Sequence, residues 1–246
     1  DWISDVDTNS IVIVKRKNQF GLMNINEQMI LPTDYDYIAP AQNEIYIVVK
    51  NNLYGFFNAK EKCFVTAIEY DYNTAFLPNY YTNAKYFKLI KDDEVALINA
   101  NGRYSINFGS YTNLFFAKCD IIRIQKKNKF GFVDRKLKPV TAIEFDEAQD
   151  FNNDLAIVVK KETSSLINTQ GKIIYSIKNG EITDDLNASF YKITLNDLLG
   201  MINRKGEVLL NPEFNSIELI KSGLFYCKKA EDVFLYNSNT KTLKKL

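Results

Sequence analysis

Seven regularly spaced Asn or Asp residues constrain this chain more than any other feature of its sequence. Asn24, Asn58, Asn99, Asp134, Asn168, Asn203 and Asn237 stand 34, 41, 35, 34, 35 and 34 residues apart. Ahead of each lies an apolar run, as in IVIVK at 11 to 15, IYIVVK at 45 to 50, YFKLIK at 86 to 91, IIRIQK at 121 to 126 and LAIVVK at 155 to 160. Behind it come a polar turn, such as NANGR, NTQGK or NRKGE, and a further apolar run, such as KII at 172 to 174 or VLL at 208 to 210. A fixed period of about 20 to 50 residues marks a repeat architecture, in which each unit buries its apolar surface against its neighbours.

The runs are short, rich in β-branched and aromatic residues and bounded by turn formers, so they read as strands. Several, such as IVIV and AIVV, are apolar on both faces of the pleat, which requires protein above and below the sheet. Three residues before the anchor the position is small in six copies, Gly21, Gly55, Ala96, Gly131, Ser165 and Gly200, with Phe234 in the seventh. Gly inside a strand weakens it, so its recurrence predicts close approach of another backbone or a bulky neighbour. After the third strand several copies carry a further segment, TDYDYI at 33 to 38, IEYDYN at 68 to 73, IEFDEA at 143 to 148 and PEFNSI at 212 to 217, expected to form an outer, edge-like fourth strand. About 35 residues in four short antiparallel strands is the size of a small propeller blade.

The residues just quoted resemble the bacterial WG (KWG-type) β-repeat family: a basic strand end, an aromatic-Gly pair, an apolar-Asn close, a Gly-Lys turn, an apolar run, Pro and a Tyr-Asp pair. The likeness is clearest at Gln19 to Asp36, Lys129 to Asp146 and Leu199 to Asn215. The family's Trp is replaced throughout, by Phe20, Tyr54, Val95, Phe130, Ser164, Leu199 and Val233. The copies at 95 to 99, 164 to 168 and 233 to 237 also lack the Gly. The resemblance implies a generic interaction scaffold without a shared active site.

Residues 1–246 are therefore expected to form a single all-β domain of seven repeats, a seven-bladed β-propeller-like ring. The last unit ends without its fourth strand, and an N-terminal segment, Asp1-Trp2-Ile3 or Asp5-Val6-Asp7, is expected to complete it, closing the ring and removing an exposed edge. The alternative is an open β-solenoid of the same repeats, with the last one as a cap.

Composition narrows the function classes. Lys plus Arg number 31 and Asp plus Glu 30, interspersed, so no charge footprint for nucleic acid or an anionic membrane is present. No apolar run approaches the roughly 20 residues needed to span a bilayer. The absence of His removes His-dependent nucleophilic catalysis and His-containing zinc sites. No phosphate-binding Gly-rich loop occurs. Cys63, Cys119 and Cys227 are far apart and in or beside apolar runs, reading as small hydrophobes rather than a disulfide framework. The acidic clusters Asp92-Asp93-Glu94, Asp184-Asp185 and Glu231-Asp232 read as solvated turns, and Asp5, Asp7 and Asn9 lack the Gly and the terminal acid of a calcium loop. Asn187-Ala188-Ser189 has the form of a glycosylation acceptor and reads as an ordinary loop. Lys15, Lys50, Lys91, Lys126 and Lys160 recur at strand ends; they read as solvating caps, with a basic ring on one face as the alternative.

The 41-residue spacing places an insertion in NTAFLPNYYTNAKYF at 73 to 87. Insertions in repeat proteins map to surface loops, often on the binding face, and exposed Tyr and Phe make interface anchors. Phe76, Leu77, Tyr80 and Tyr81 are thus candidate partner-binding residues, unless the loop folds back over an adjacent blade. The sequence reads as a monomeric, non-enzymatic protein–protein interaction scaffold with no cofactor, no metal site and no catalytic residues. Its partner is expected to be another protein rather than nucleic acid or a membrane interior. The alternative is a glycan-binding or carbohydrate-active propeller, which would need paired carboxylates about 5 to 9.5 Å apart beside exposed aromatics. The chain begins at Asp1 without a signal-type segment, so the compartment is open; an exported protein stripped of its leader is one expectation.

Overall fold

A computed structural model of the chain describes residues 2–4, 7, 9–73, 82, 85–116, 120–187 and 189–246. The described residues form strands and turns with no helix, in two compact units, Asp1–Phe116 and Ala117–Leu246. Seven antiparallel sheets follow one another along the chain, so the fold is all-β and propeller-like at the level of the single blade.

The first unit opens with β1 (Trp2–Ile3), β2 (Ile11–Arg16), β3 (Gln19–Asn24) and β4 (Met29–Tyr35), paired in sequence order. The second sheet holds β5 (Tyr37–Gln42), β6 (Ile45–Lys50) and β7 (Leu53–Asn58), with the short β8 (Cys63–Phe64) and β9 (Tyr70–Asp71) both on β7. The third sheet holds β10 (Phe87–Lys91), β11 (Glu94–Ile98) and β12 (Tyr104–Tyr111), and β13 (Asn113–Phe116) ends the unit. In the second unit the hairpin of β14 (Ile121–Lys126) and β15 (Lys129–Asp134) receives residues 139–145, bridged at Val133↔Pro139 and Phe130↔Phe145. The fifth sheet is β16 (Glu147–Ala148), β17 (Leu155–Lys160), β18 (Thr163–Asn168) and β19 (Ile173–Lys178). The sixth is β20 (Gly180–Asn187), β21 (Phe190–Leu195), β22 (Leu198–Asn203) and β23 (Val208–Phe214). The seventh is β24 (Ser216–Lys221), β25 (Leu224–Lys229), β26 (Asp232–Asn237) and β27 (Thr242–Lys245).

Local chemistry explains the recurrence. In all seven repeats the anchor's side-chain oxygen accepts two backbone N–H bonds of 2.8 to 3.3 Å from the turn that follows, as from Gln170 and Lys172 to Asn168 Oδ1. This is an Asx turn, available to Asn and Asp because the short side chain reaches the backbone two residues on. In four of the preceding two-residue hairpins both central residues lie in the left-handed region, as at Asn51 and Asn52 (φ 54 and 60) and Asp92 and Asp93 (φ 51 and 61), which matches the strand twist; in the other three the first central residue, Lys127, Lys161 or Ala230, lies there.

The small position before the anchor is set by a wide bulge in the outer strand. Phe20 pairs with Tyr35 but Leu22 with Leu31, so the extra residues, Pro32 among them, crowd Gly21. A Cβ at Gly131 would stand 2.7 Å from Ala142 O, and Gly21, Gly55 and Gly200 meet carbonyl oxygens as closely. The expected close approach of another backbone is therefore borne out. Where the outer strand runs straight past this position, as β19 past Ser165 and β27 past Phe234, a larger residue stands there.

One expectation is corrected. The segment TDYDYI is not a single outer strand of its own unit: β4 ends at Tyr35, and β5 begins at Tyr37 and pairs with β6 of the next repeat. In the four-stranded sheets, the first, fifth, sixth and seventh, the fourth strand thus precedes its three partners in sequence. Accordingly β1 pairs with β2, Trp2↔Lys15 and Ile3↔Val14, inside the first sheet. The seventh sheet already has β24 as its fourth strand, so the N-terminal strand does not complete it, contrary to the closure read from the sequence.

The crossover residues act as clamps. Asp36, Asp71, Asp146 and Asn215 accept the backbone N–H of Asn51, Asp92, Lys161 and Ala230, at the hairpin turn of the following repeat, at 2.6 to 3.0 Å. Two residues earlier an acid pairs with the next repeat's strand-end lysine: Asp34 with Lys50, Glu69 with Lys91, Glu144 with Lys160 and Glu213 with Lys229. Of the five strand-end lysines singled out in the sequence, Lys50, Lys91 and Lys160 are thus held on carboxylates of the preceding repeat. Between acid and cap lies an aromatic, Tyr70, Phe145 and Phe214 being buried. Sheets bury both faces, as β6 shows from Ile45 to Val49, and one apolar cluster lies between the first and second sheets and another between the second and third.

Candidate functional site

Residues that recur in every repeat are consumed by folding, so a site must lie where the copies differ. The insertion residues Phe76, Leu77, Tyr80 and Tyr81 lie outside the described residues. Of the acidic clusters, Asp92 and Asp93 are hairpin-turn residues, and Asp232 pairs with Lys245 at 2.7 Å. Asp184 is exposed on β20. Asp7 caps its own turn, accepting Asn9 N at 2.8 Å and Ile11 N at 3.0 Å, and also takes the hydroxyl of buried Tyr46. Burial, and then that carboxylate, raise the Tyr46 phenol well above its ordinary range. Among the described residues no group of three or more His, Cys, Asp or Glu is placed to hold a metal. Cys227 is buried, which pushes its thiol up to about 11 and fits the reading as a small hydrophobe, whereas Cys63 is exposed on β8 and does not; Cys119 lies outside the described residues.

Two departures stand out, one in each unit. In the third repeat, Lys88 stands second in β10 with no exposure to solvent. Phe87 and Leu89 point to one face and Lys88 to the other, and here both faces are covered. Its ammonium donates to Leu114 O at 2.8 Å and lies 5.8 Å from the Phe116 ring centroid. Burial disfavours the charged form and lowers the lysine to about 7. The Lys88 carbonyl accepts the Tyr54 hydroxyl at 2.6 Å, and the same hydroxyl accepts Ile90 N at 3.0 Å, so Tyr54 ties the second sheet to the third. The signal in the sequence was a lysine inside an apolar run, rather than at its end.

The second departure is the fifth repeat, where the aromatic-Gly pair becomes Ser164-Ser165. On one face Ser164 lies opposite Val159 and Ile177; in the first, second, fourth and sixth repeats the matching pairs are Phe20–Tyr35, Tyr54–Tyr70, Phe130–Phe145 and Leu199–Phe214. Ser164 is buried, and its hydroxyl has no partner among the described residues. A cavity of about 150 Å³ lies beside it, bounded by Glu147, Gln149, Ile157, Val159, Glu181 and Ile182. On the other face Ser165 Oγ and Ser176 Oγ share a 2.8 Å hydrogen bond. They line a cleft of about 620 Å³ between residues 140–145 and the fifth sheet. Lys160, Lys178, Glu144 and Glu162 ring it, with Thr163 and the half-exposed Ile173 along its floor. The sequence showed this repeat only as a weakened copy, and the cleft it opens had no signal beyond that loss.

No helix among the described residues is long and apolar enough to cross a membrane. Compared with known families, the chain matches the WG containing repeat over residues 20–54, 130–163 and 200–229. No curated protein matches the sequence. Among solved structures, Hsv2 of Kluyveromyces lactis is similar at 10% identity and a TM-score of 0.37, covering 97% of this chain and 94% of that one. A eukaryotic initiation factor is similar at 7% identity and a TM-score of 0.41, over 100% of this chain and 76% of that one. The dihydro-heme d1 dehydrogenase NirN in complex with DHE is similar at 12% identity and a TM-score of 0.36, over 96% and 63%. With TM-scores this low, none of these likenesses bears on what the chain binds.

Proposed function

We propose that this protein, a WG-repeat chain by its three matched stretches, is a non-enzymatic scaffold that holds an extended segment of another protein at the fifth repeat. The observation that carries the reading is β19, the outermost strand of its sheet, running along the 620 Å³ cleft. The outer strands β4, β12 and β23 are broken by wide bulges, which blunt an edge against pairing. Past Ser164 and Ser165, β19 pairs regularly instead, Ser164↔Ile177 and Ser165↔Ser176. A regular edge beside a cleft suits strand addition, in which main-chain hydrogen bonds supply affinity and side-chain pockets supply selectivity. Lysines and glutamates alternate around the cleft with hydroxyls between them, a surface that fits a mixed-charge peptide better than a strongly anionic ligand. The glycan alternative is not favoured, because Phe145, the one aromatic of this lining, is buried.

The test compares partners retained from the source cells by the wild-type protein, by Thr163→Trp, which fills the cleft, and by Ile25→Asp, which alters an exposed residue of the first unit. A protein held by the wild type and by Ile25→Asp but lost from Thr163→Trp supports the reading, once the purified pair repeats the pattern. Equal retention by all three sinks it.

A further inference from the structure

We infer that the smaller cavity on the opposite face of the fifth sheet is a binding subsite for a primary ammonium group carried on a short alkyl chain. The inference does not depend on the cleft described above, since the two lie on opposite faces of the sheet.

The first observation is the lining. Along one face of the sheet Glu147, Val159 and Ser164 stand side by side in a single cross-strand row, with Gln149 and Ile157 in the row below. Glu181 and Ile182, on the first strand of the sixth sheet, close the cavity from the other side. The walls are therefore apolar at Ile157, Val159 and Ile182 and offer oxygen acceptors at Glu147, Gln149, Glu181 and Ser164. Among the described residues neither glutamate makes an ion pair.

The second observation is independent of the acids. Ser164 is only 3% exposed, and its hydroxyl has no hydrogen-bond partner among the described residues. Leaving a buried hydroxyl unpaired costs its lost hydration without compensation, so the great majority of such groups in native structures have a partner, and an exception calls for an explanation such as a ligand. At the matching position of the second repeat, Tyr54 spans to the next sheet and satisfies its own hydroxyl there. Ser164 is too short to do so, and the space a ring would fill remains. A cavity of this size takes a molecule of roughly benzene's bulk.

An alkylammonium satisfies each part of this lining at once. Its three N–H donors face an unpaired hydroxyl and carboxylates, and charge-assisted bonds of that kind are about twice as strong as neutral ones. Its methylene stem covers the branched aliphatic wall. A carboxylate or phosphate would meet Glu147 and Glu181 instead, and a neutral alcohol would leave both charges unmatched. The group could arrive as a free small amine or as the lysine side chain of a partner, and the chemistry is shared.

The test uses n-butylammonium chloride as probe, with n-butanol and butyrate as matched controls. Amide shifts of the ¹⁵N-labelled whole chain are read at fixed pH and ionic strength. Butylammonium is expected to shift Val159, Ser164 and Glu181 saturably, with a dissociation constant of about millimolar order for so small a ligand. Ser164→Phe, which restores the residue type of the first and fourth repeats, should abolish the response while keeping the thermal midpoint. Glu181→Gln, an exposed substitution, should weaken it about tenfold, and it keeps the test decisive should Ser164→Phe fold poorly. Nα-acetyl-lysine methylamide separates the two sources: equal binding points to a partner's side chain, and binding of butylammonium alone points to a free amine. Equal shifts from butanol, no saturable shift from the amine, or an unchanged response in both variants would overturn the inference.

Discussion

Lys88→Met is expected to raise stability at neutral pH and to abolish a pH dependence that the wild-type chain carries. The lysine falls from its ordinary 10.5 to about 7 because folding removes it from water. Between those values the unfolded chain holds a proton that the folded chain has released, so wild-type stability must rise with pH across that window. Below pH 7 the charged form is buried at full cost, and above 10.5 the contribution levels off. At about 1.36 kcal/mol per pH unit the full displacement amounts to ~5 kcal/mol, of which ~2.5 kcal/mol is recovered between pH 6 and pH 9. Met keeps the length of the side chain without the charge. It leaves Leu114 O without its 2.8 Å donor, which returns ~1–2 kcal/mol of the gain. Urea denaturation of both proteins at half-unit steps from pH 6 to pH 9 reads the difference directly. The buried Cys227 thiol, raised from 9 to about 11, begins to lower stability as pH 9 is approached, but it does so equally in both proteins and cancels in their difference. The two curves should converge as pH rises. Parallel curves would refute the reasoning, because they would show that Lys88 keeps one protonation state in both folded and unfolded chains.

Other expectations follow from the repeats. Gly131→Ala places a Cβ 2.7 Å from Ala142 O and should cost ~2 kcal/mol or more, whereas Ser165→Ala, beside a straight outer strand, should lose only the Ser176 hydrogen bond, ~1 kcal/mol; thermal melts compare them. Tyr54→Phe should cost ~1–3 kcal/mol through the two buried bonds of its hydroxyl, and should leave amide exchange in the first sheet unchanged. Asn168→Ala frees the N–H groups of Gln170 and Lys172 to water and should cost ~1 kcal/mol, measured by chemical denaturation. Removing residues 1–4 deletes β1, so hydrogen exchange should quicken in β2 and stay as it was from Ser216 to Lys245; faster exchange there would restore the pairing first read from the sequence.

The parts of the fold legible in the sequence are those where backbone geometry admits few residue types. An Asx turn requires Asn or Asp, and a strand opposite a wide bulge requires Gly or Ala, so Asn24 and Gly21 could be assigned their work before any coordinates. The phase of the fourth strand was not legible, because TDYDYI has the same composition whichever neighbour it pairs with. What decides it is Asp36, whose backbone N–H bonds Val49 O and whose carboxylate holds Asn51 N, fifteen residues on. Lys88 was passed over because a lysine in a strand is ordinarily on the wet face, and the third sheet has no wet face there.

Loss of the aromatic-Gly pair does not by itself make a site, and the fifth and seventh repeats show why. Both lack the Gly, and both have an outer strand that runs without the wide bulge. In the seventh repeat Phe234 takes the vacated position and packs edge-on against Phe214, ring centroids 6.1 Å apart, so the space closes with apolar carbon. In the fifth, Ser164 and Ser165 take the same positions and are too small to fill them, so both faces of the sheet stay open and are lined by hydroxyls and charges. The same backbone change therefore gives packing in one copy and a cleft in the other, and the side chains that replace the motif decide between them. A search for function in chains of this kind should weigh the volume and polarity of what replaces the motif, since a degenerate copy refilled with apolar bulk remains scaffold.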